Sequence, residues 1–285
     1  MDWLQHPGSS APLAGYLAAG LAAVMLIAVS KGGFGSGLGM LSVPVMMQVF
    51  PGKGAIVLSM LLPVLIWCDL LAIRHYPGQW RPRAIWLVAP GAMAGIVIGW
   101  AILYRLNDAP PEFKATNDAW LKLLVGVICL GFVGVWAVGL WLRRRAAERP
   151  PWQPTWLGGT IAGVPSGVTT MLAHAAGPIY TMYLLPQKLD QREFVGTTVR
   201  YFFIFNTVKI PFFMLLPGGT GLDWPVFKSS LWMLAIAPAG VWVGSWLNRR
   251  IHPKHFNYLL YLFLALAGVK LIWDAGKVLL PGGGA

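Results

Sequence analysis

Charge is scarce in this chain, and the few polar groups inside its apolar runs are where chemistry must be sought. The stretch Thr197-Thr-Val-Arg-Tyr-Phe-Phe-Ile-Phe-Asn-Thr-Val-Lys-Ile-Pro211 carries Arg200, Asn206 and Lys209. A charge at such depth costs about 2.5–3.5 kcal/mol by insertion scales unless it is paired or wet, so each is a functional candidate. Asn206 and Lys209 share a helix face. Arg200 lies about 2.5 turns before Lys209 and points away from it, which reads as a side chain snorkelling to the surface. Lys209, deeper in the run, is the stronger candidate for holding a substrate's charge.

Asp69 is the only carboxylate deep within an apolar run. It is either a proton- or cation-coupling group or the salt-bridge partner of Lys209 or Arg74. His174, in Met171-Leu-Ala-His-Ala-Ala-Gly-Pro178, suits a proton-linked step because imidazole titrates near neutrality; a structural hydrogen bond is the alternative. No metal-ligand spacing, Walker motif or catalytic triad occurs, and no cofactor is expected. Cys68 and Cys129 lie in apolar segments without CxxC spacing and read as core.

Two glycine-rich interruptions would position these groups. Lys31-Gly-Gly-Phe-Gly-Ser-Gly-Leu-Gly39 breaks one long apolar stretch and Gly163-Val-Pro-Ser-Gly-Val-Thr-Thr170 breaks another about 130 positions later. Backbone released from helical bonding is tolerated at membrane depth only where it faces protein or a watery cavity, and paired breaks mark the substrate site of secondary transporters. Ser36 and Ser166 sit where a second half-helix would begin, with Gly35, Gly37 and Gly167 leaving backbone N–H groups open. Such a start presents about half a positive charge and favours an anion, with Thr169 and Thr170 adding hydroxyl donors. The plainer reading is helix capping alone.

The elements around these breaks are membrane helices. The chain has 285 residues, 56% hydrophobic and 11% charged, with mean hydropathy +0.62, against roughly 25% charged in soluble domains. Apolar runs of spanning length, roughly 17 to 25 residues, fall at 13–30, 55–73, 84–104, 119–142, 195–216, 229–247 and 256–273, with further apolar material at 36–50 and 155–185. No ten-residue alternation of a β-barrel appears. The net charge of +12 resides largely in short loops, where it orients helices instead of binding nucleic acid. No Lys or Arg precedes the first apolar run, so a cleavable signal peptide is not expected. Trp80, Trp152, Trp156 and Trp224 stand near span ends as an interfacial belt.

The charge- and proline-rich segment Arg143–Pro154 divides the chain into membrane halves 1–142 and 155–285. The halves overlay: Gly35-Ser-Gly on Pro165-Ser-Gly, Phe50-Pro51 with Lys53 on Leu185-Pro186 with Lys188, Trp80 on Trp224, Ala89-Pro90 on Ala237-Pro238, and Gly134-Val135 on Gly268-Val269. This is a gapped internal repeat. If every apolar block crosses once, Lys and Arg divide nine to eight between the two sides; if each interrupted block, 13–50 and 155–185, is a hairpin returning to its own side, they divide twelve to five. The positive-inside rule favours the hairpins and places Arg143–Pro154 in the cytoplasm. Each half then crosses an odd number of times, giving two inverted-topology repeats, each an interrupted hairpin plus three transmembrane helices, in an all-α integral membrane protein. Gly91, Gly95 and Gly99, and likewise Gly240 and Gly244, place small residues on one helix face for close contact.

With these features assembled, Gly32-Gly-Phe-Gly-Ser-Gly-Leu-Gly39 with Pro44, Gly163-Val-Pro-Ser-Gly-Val with Gly177-Pro178, and Asn206 with Lys209 resemble the TauE/SafE family of sulfite exporters, over about 14 to 275. The resemblance implies a bacterial inner-membrane secondary carrier of sulfur-containing anions such as sulfite, sulfoacetate or other sulfonates, while members differ in substrate and direction. Lys31 either binds substrate or closes a helix end. The expectation is an alternating-access anion carrier driven by protons, in contact with the lipid bilayer and not an enzyme; an anion channel, or an intramembrane enzyme using His174 and Asp69, is the alternative. A homo-oligomer is left open.

Overall fold

The computed structural model describes residues 9, 11–34, 38–143, 153–248 and 253–280. The described residues are helical and contain no strand. In order they are α1 (Leu13–Val29), a π-helical turn (Ser30–Phe34), a 3₁₀ turn (Leu38–Leu41), α2 (Ser42–Met47), α3 (Gly54–Ile73), α4 (Pro82–Trp86), α5 (Ala89–Asn107) and α6 (Lys114–Arg143). After the Arg143–Pro154 segment, residues 144–152 of which lie outside the described residues, come α7 (Trp156–Ala173), α8 (Gly177–Leu184), a 3₁₀ turn (Leu185–Gln187), α9 (Gln191–Met214), α10 (Trp224–Asn248) and α11 (Pro253–Leu279). Among the described residues five helices are long and apolar enough to cross a membrane: Leu13–Gly33, Gly54–Ile73, Pro82–Asn107, Lys114–Gly139 and Trp224–Leu247.

Local chemistry sets most boundaries. Thr155 caps α7 by accepting the Gly158 N–H (3.1 Å), and Asp190 caps α9 by accepting that of Glu193 (2.8 Å). Proline opens α4, α5 and α8 within their first two positions, where a missing N–H is harmless. Asp118 of α6 accepts the N–H groups of Gly52 (3.1 Å) and Gly54 (2.8 Å), capping α3 from across the bundle.

The first interrupted block folds back on itself. Ser9 donates to the Val49 carbonyl (3.0 Å) and the Tyr16 ring meets Phe50 edge-on at 6.0 Å, so the two ends of the 13–50 block lie side by side. At that end Ser59 donates to the carbonyl of Thr220 (2.6 Å), beside the Asp118 cap. At the other end Arg81 pairs with Glu193 (3.0 Å) and its N–H meets Thr197 (2.9 Å), joining the 74–83 loop to the start of α9.

Glycine decides which helices touch. On α5 and α7, a Cβ at Gly95 would strike the Val164 carbonyl and one at Gly167 the Ala92 carbonyl, so these backbones lie against each other, running parallel. Gly240 and Gly244 of α10 likewise abut Ala28 and Val29 of α1, also parallel. α3 also lies parallel to α10, with Met60 meeting Ser229 and Trp67 donating to the Leu234 carbonyl. Two further pairs are antiparallel: Asp69 and Tyr76 of the α3 region meet Asn206 and Arg200 of α9, while Gly126 and Trp136 of α6 meet Gly268 and Tyr261 of α11. Each interrupted block therefore lies flush against a helix from the other half of the chain.

Candidate functional site

The second break is not where the glycines suggest. α7 runs unbroken through Pro165 and ends at His174, whose left-handed backbone (φ 51°) turns the chain into α8 at Gly177. Ser166 and Gly167 are therefore mid-helix and start no half-helix. Through Pro165 the helix stays flush on α5 at Gly159, Gly163 and Gly167, and Thr169 donates to the carbonyls of Pro165 (2.8 Å) and Ser166 (3.2 Å). In the first block the helix loosens into the π-helical turn at Ser30–Phe34, a feature common at functional positions. Gly35, Ser36 and Gly37 lie outside the described residues.

Two charged clusters form between these breaks. In the first, Lys31 Nζ lies 2.7 Å from Asp69 Oδ1, with both side chains sealed from solvent (5% and 0% exposed). Asn206 donates to the second carboxylate oxygen (2.8 Å). The ammonium also stands 3.6 Å above the Phe202 ring, a cation–π contact strengthened by desolvation. Asp69 thus pairs with Lys31, and not with Lys209 or Arg74 as the sequence suggested. The reason is placement: α1 and α3 bring Lys31 beside the carboxylate, whereas Lys209 is turned to α7.

In the second cluster Lys209 is fully buried and donates to the Thr170 carbonyl (3.0 Å), the Thr170 hydroxyl (3.1 Å) and His174 Nδ1 (2.9 Å). All three ammonium protons are used. One of them meets a terminal carbonyl of α7, where the helix dipole favours a cation. His174 Nε2 lies 2.9 Å from the Leu58 carbonyl and must donate to it, so Nδ1 is the lone pair that accepts from Lys209. This pins a neutral imidazole: a proton on Nδ1 would face the ammonium and displace it.

A cavity of about 20 Å³, of the order of one water, opens where the two breaks meet. Ser30, Lys31, Asn206, His174, Phe202 and Gly177 are on its wall. The Ser30 hydroxyl is buried with no hydrogen-bond partner among the described residues. Of the residues expected at the site, Lys31, Asn206 and His174 line the cavity, Asp69 stands behind Lys31, and Thr170 and Lys209 support His174. Ser166 does not line it; its hydroxyl lies 2.6 Å from that of Tyr201, whose ring stacks on Tyr180 at 3.7 Å. Arg200 binds the Tyr76 carbonyl (2.9 Å) and lies over Trp80 near the 74–83 loop. Phe202 and the Ser30 side chain went unread in the sequence, although Phe202 precedes Asn206 by four residues on the same helix face.

With that geometry in hand, comparison with protein families finds a match to the model described as sulfite exporter TauE/SafE, over residues 20–271. No curated protein and no solved structure matches the chain.

Proposed function

The chain belongs to the TauE/SafE family of sulfite exporters, a family of membrane transporters of sulfur anions, and from that premise we propose that it is a secondary active carrier of small sulfur-containing anions in the bacterial inner membrane. Sulfite, sulfoacetate and other organosulfonates are the substrate class, and protons are the coupling ion. The observation that carries this reading is the cavity at the meeting of the two breaks. Its wall holds a buried ammonium, a hydroxyl without a partner among the described residues and a carboxamide, the donor set an oxyanion needs.

The geometry also supports inverted repeats and alternating access. A two-fold axis in the membrane plane reverses each helix relative to its mate, and α3 with α9 and α6 with α11 run antiparallel in this way. The flush contacts of α1 on α10 and α5 on α7 supply two stiff units, with the cavity at their boundary, that can rock against each other. In this reading Lys31 and Asn206 bind the anion, Asp69 couples it to protons, and Lys209 with Thr170 orients His174. Both ring nitrogens of His174 are committed to Lys209 and Leu58, which leaves an enzymatic role without a free base there.

Purified protein in proteoliposomes should take up sulfite or sulfoacetate with saturation, faster under a proton gradient, and Lys31→Gln should abolish uptake while the protein still folds. Unsaturable flux indifferent to the gradient would refute the carrier.

A further inference from the structure

We infer that the Asp69 carboxylate holds the substrate anion's place on Lys31, so that an anion binds only as Asp69 takes up a proton. The inference rests on the anion-carrier reading above and specifies how that site couples to protons.

Lys31 presents the ammonium on the cavity wall, and its anionic partner is Asp69 Oδ1 at 2.7 Å. Lys209 offers no substitute, since its three donors are bound to Thr170 and His174. An anion arriving while Asp69 is ionised would put two negative charges on one buried ammonium, in a place with little water to separate them. Protonating Asp69 removes that conflict without stranding any group. Asn206 continues to donate to Oδ2, at 2.8 Å now, the new carboxylic O–H becomes a donor to the anion, and Lys31 turns its freed N–H toward it. The hydroxyl of Ser30, without a partner among the described residues, supplies a further donor.

The charged and titratable groups around Asp69 are few. Lys31 comes from the π-helical turn, Lys209 from α9, Cys68 from its own helix, and His174 stands across the cavity. Asp118 of α6 sits at the opposite, Gly54 end of α3, and Lys228 of α10 adjoins Ser229, which meets Met60 near that same end. A proton entering this cluster therefore has Asp69 as its acceptor, because His174 can take one only by expelling Lys209.

The charge balance follows. One proton on Asp69 and one monoanion on Lys31 leave the net charge of the site unchanged, whereas a dianion leaves it one unit more negative. Transport of a monoanionic sulfonate should be electroneutral, and that of a dianion should respond to membrane potential.

The test uses full-length protein in detergent with methanesulfonate, whose charge is constant across the working pH range, and with sulfite for flux. Wild type should take up one proton per methanesulfonate bound, with affinity falling about tenfold per pH unit on the alkaline side, and should show a carboxylic-acid C=O band in the bound-minus-free infrared spectrum. Asp69→Asn should bind with pH-independent affinity, no proton uptake and no such band. If Asp69→Asn fails to fold, Asp69→Glu serves instead: its acid band should shift in frequency from that of wild type, and an unshifted band overturns the inference. Binding in wild type without proton uptake, or uptake unchanged in Asp69→Asn, overturns the inference and leaves the carrier intact. Loss of binding in Asp69→Asn with melting restored in Lys31→Met/Asp69→Asn overturns it in favour of a structural ion pair. No anion binding and no flux in wild type would bring down the carrier reading and the inference together.

Discussion

A buried ammonium can serve a substrate only if some of its protons are free to leave their partners. Lys209 and Lys31 differ on this point. Lys209 is bound on three sides by Thr170 and His174, so Lys209→Met should act on stability: the Thr170 carbonyl and His174 Nδ1 lose their donor, at about 1–3 kcal/mol for a buried group left unpaired. Thermal melting in detergent reads this as a lowered midpoint. His174 is held as a donor to Leu58 and an acceptor from Lys209, two roles a glutamine amide also fills. His174→Gln should retain transport and its pH dependence, measured as sulfite uptake against external pH; a flattened profile would return the coupling role to His174.

Among the elements, the glycine faces are where small changes have large effects. Gly95 packs its Cα onto the Val164 carbonyl of α7, whereas Gly134 of α6 has no neighbour within 4 Å of where a Cβ would stand. Gly95→Leu should separate α5 from α7 at a cost on the order of 3 kcal/mol or more. Gly134→Ala should be neutral or stabilising by roughly 0.5–1 kcal/mol, the helix-propensity difference. The monodisperse fraction on size-exclusion chromatography and the melting midpoint check both, and equal behaviour of the two variants would contradict the flush packing. The break after α7 follows the same logic. A proline and three glycines look like an interruption, yet the helix persists, with the glycines in contact with α5. The chain turns instead at His174, where no glycine marks the spot.

For the whole molecule, the two ends of the bundle carry different charge. By the positive-inside count, Arg74, Arg81, Arg83 and the Arg143–Pro154 segment are expected with Lys188 and Arg192 on one side, and Lys53, Arg105, Lys114, Lys228 and Lys277 on the other; among the described residues the Arg81–Glu193 and Asp118–Gly54 contacts fit that division. Cysteines introduced into protein lacking Cys68 and Cys129 should be labelled from the cytoplasm in the 74–83 loop and the Arg143–Pro154 segment, and from the periplasm beside Pro12 and Leu280. Cytoplasmic labelling at Pro12 would sink the hairpin topology.

Much of this was legible in one dimension because its causes are local. Long apolar runs dictate membrane helices, the Ser30–Phe34 turn falls where the first glycine-rich segment begins while the second segment stays helical, and isolated polar residues such as Lys31, Asp69, Asn206 and Lys209 stand out when burial of charge is costly. The family resemblance read from the sequence agrees with the match over residues 20–271. What it could not hold was the rotation and depth of each helix. Asp69 and Lys31 are 38 positions apart, and only the stacking of α1 and α3 brings that ammonium to that carboxylate. Which lysine faces the cavity, and which is folded away against α7, was decided by helix packing, because two side chains on different helices meet only where their backbones let them.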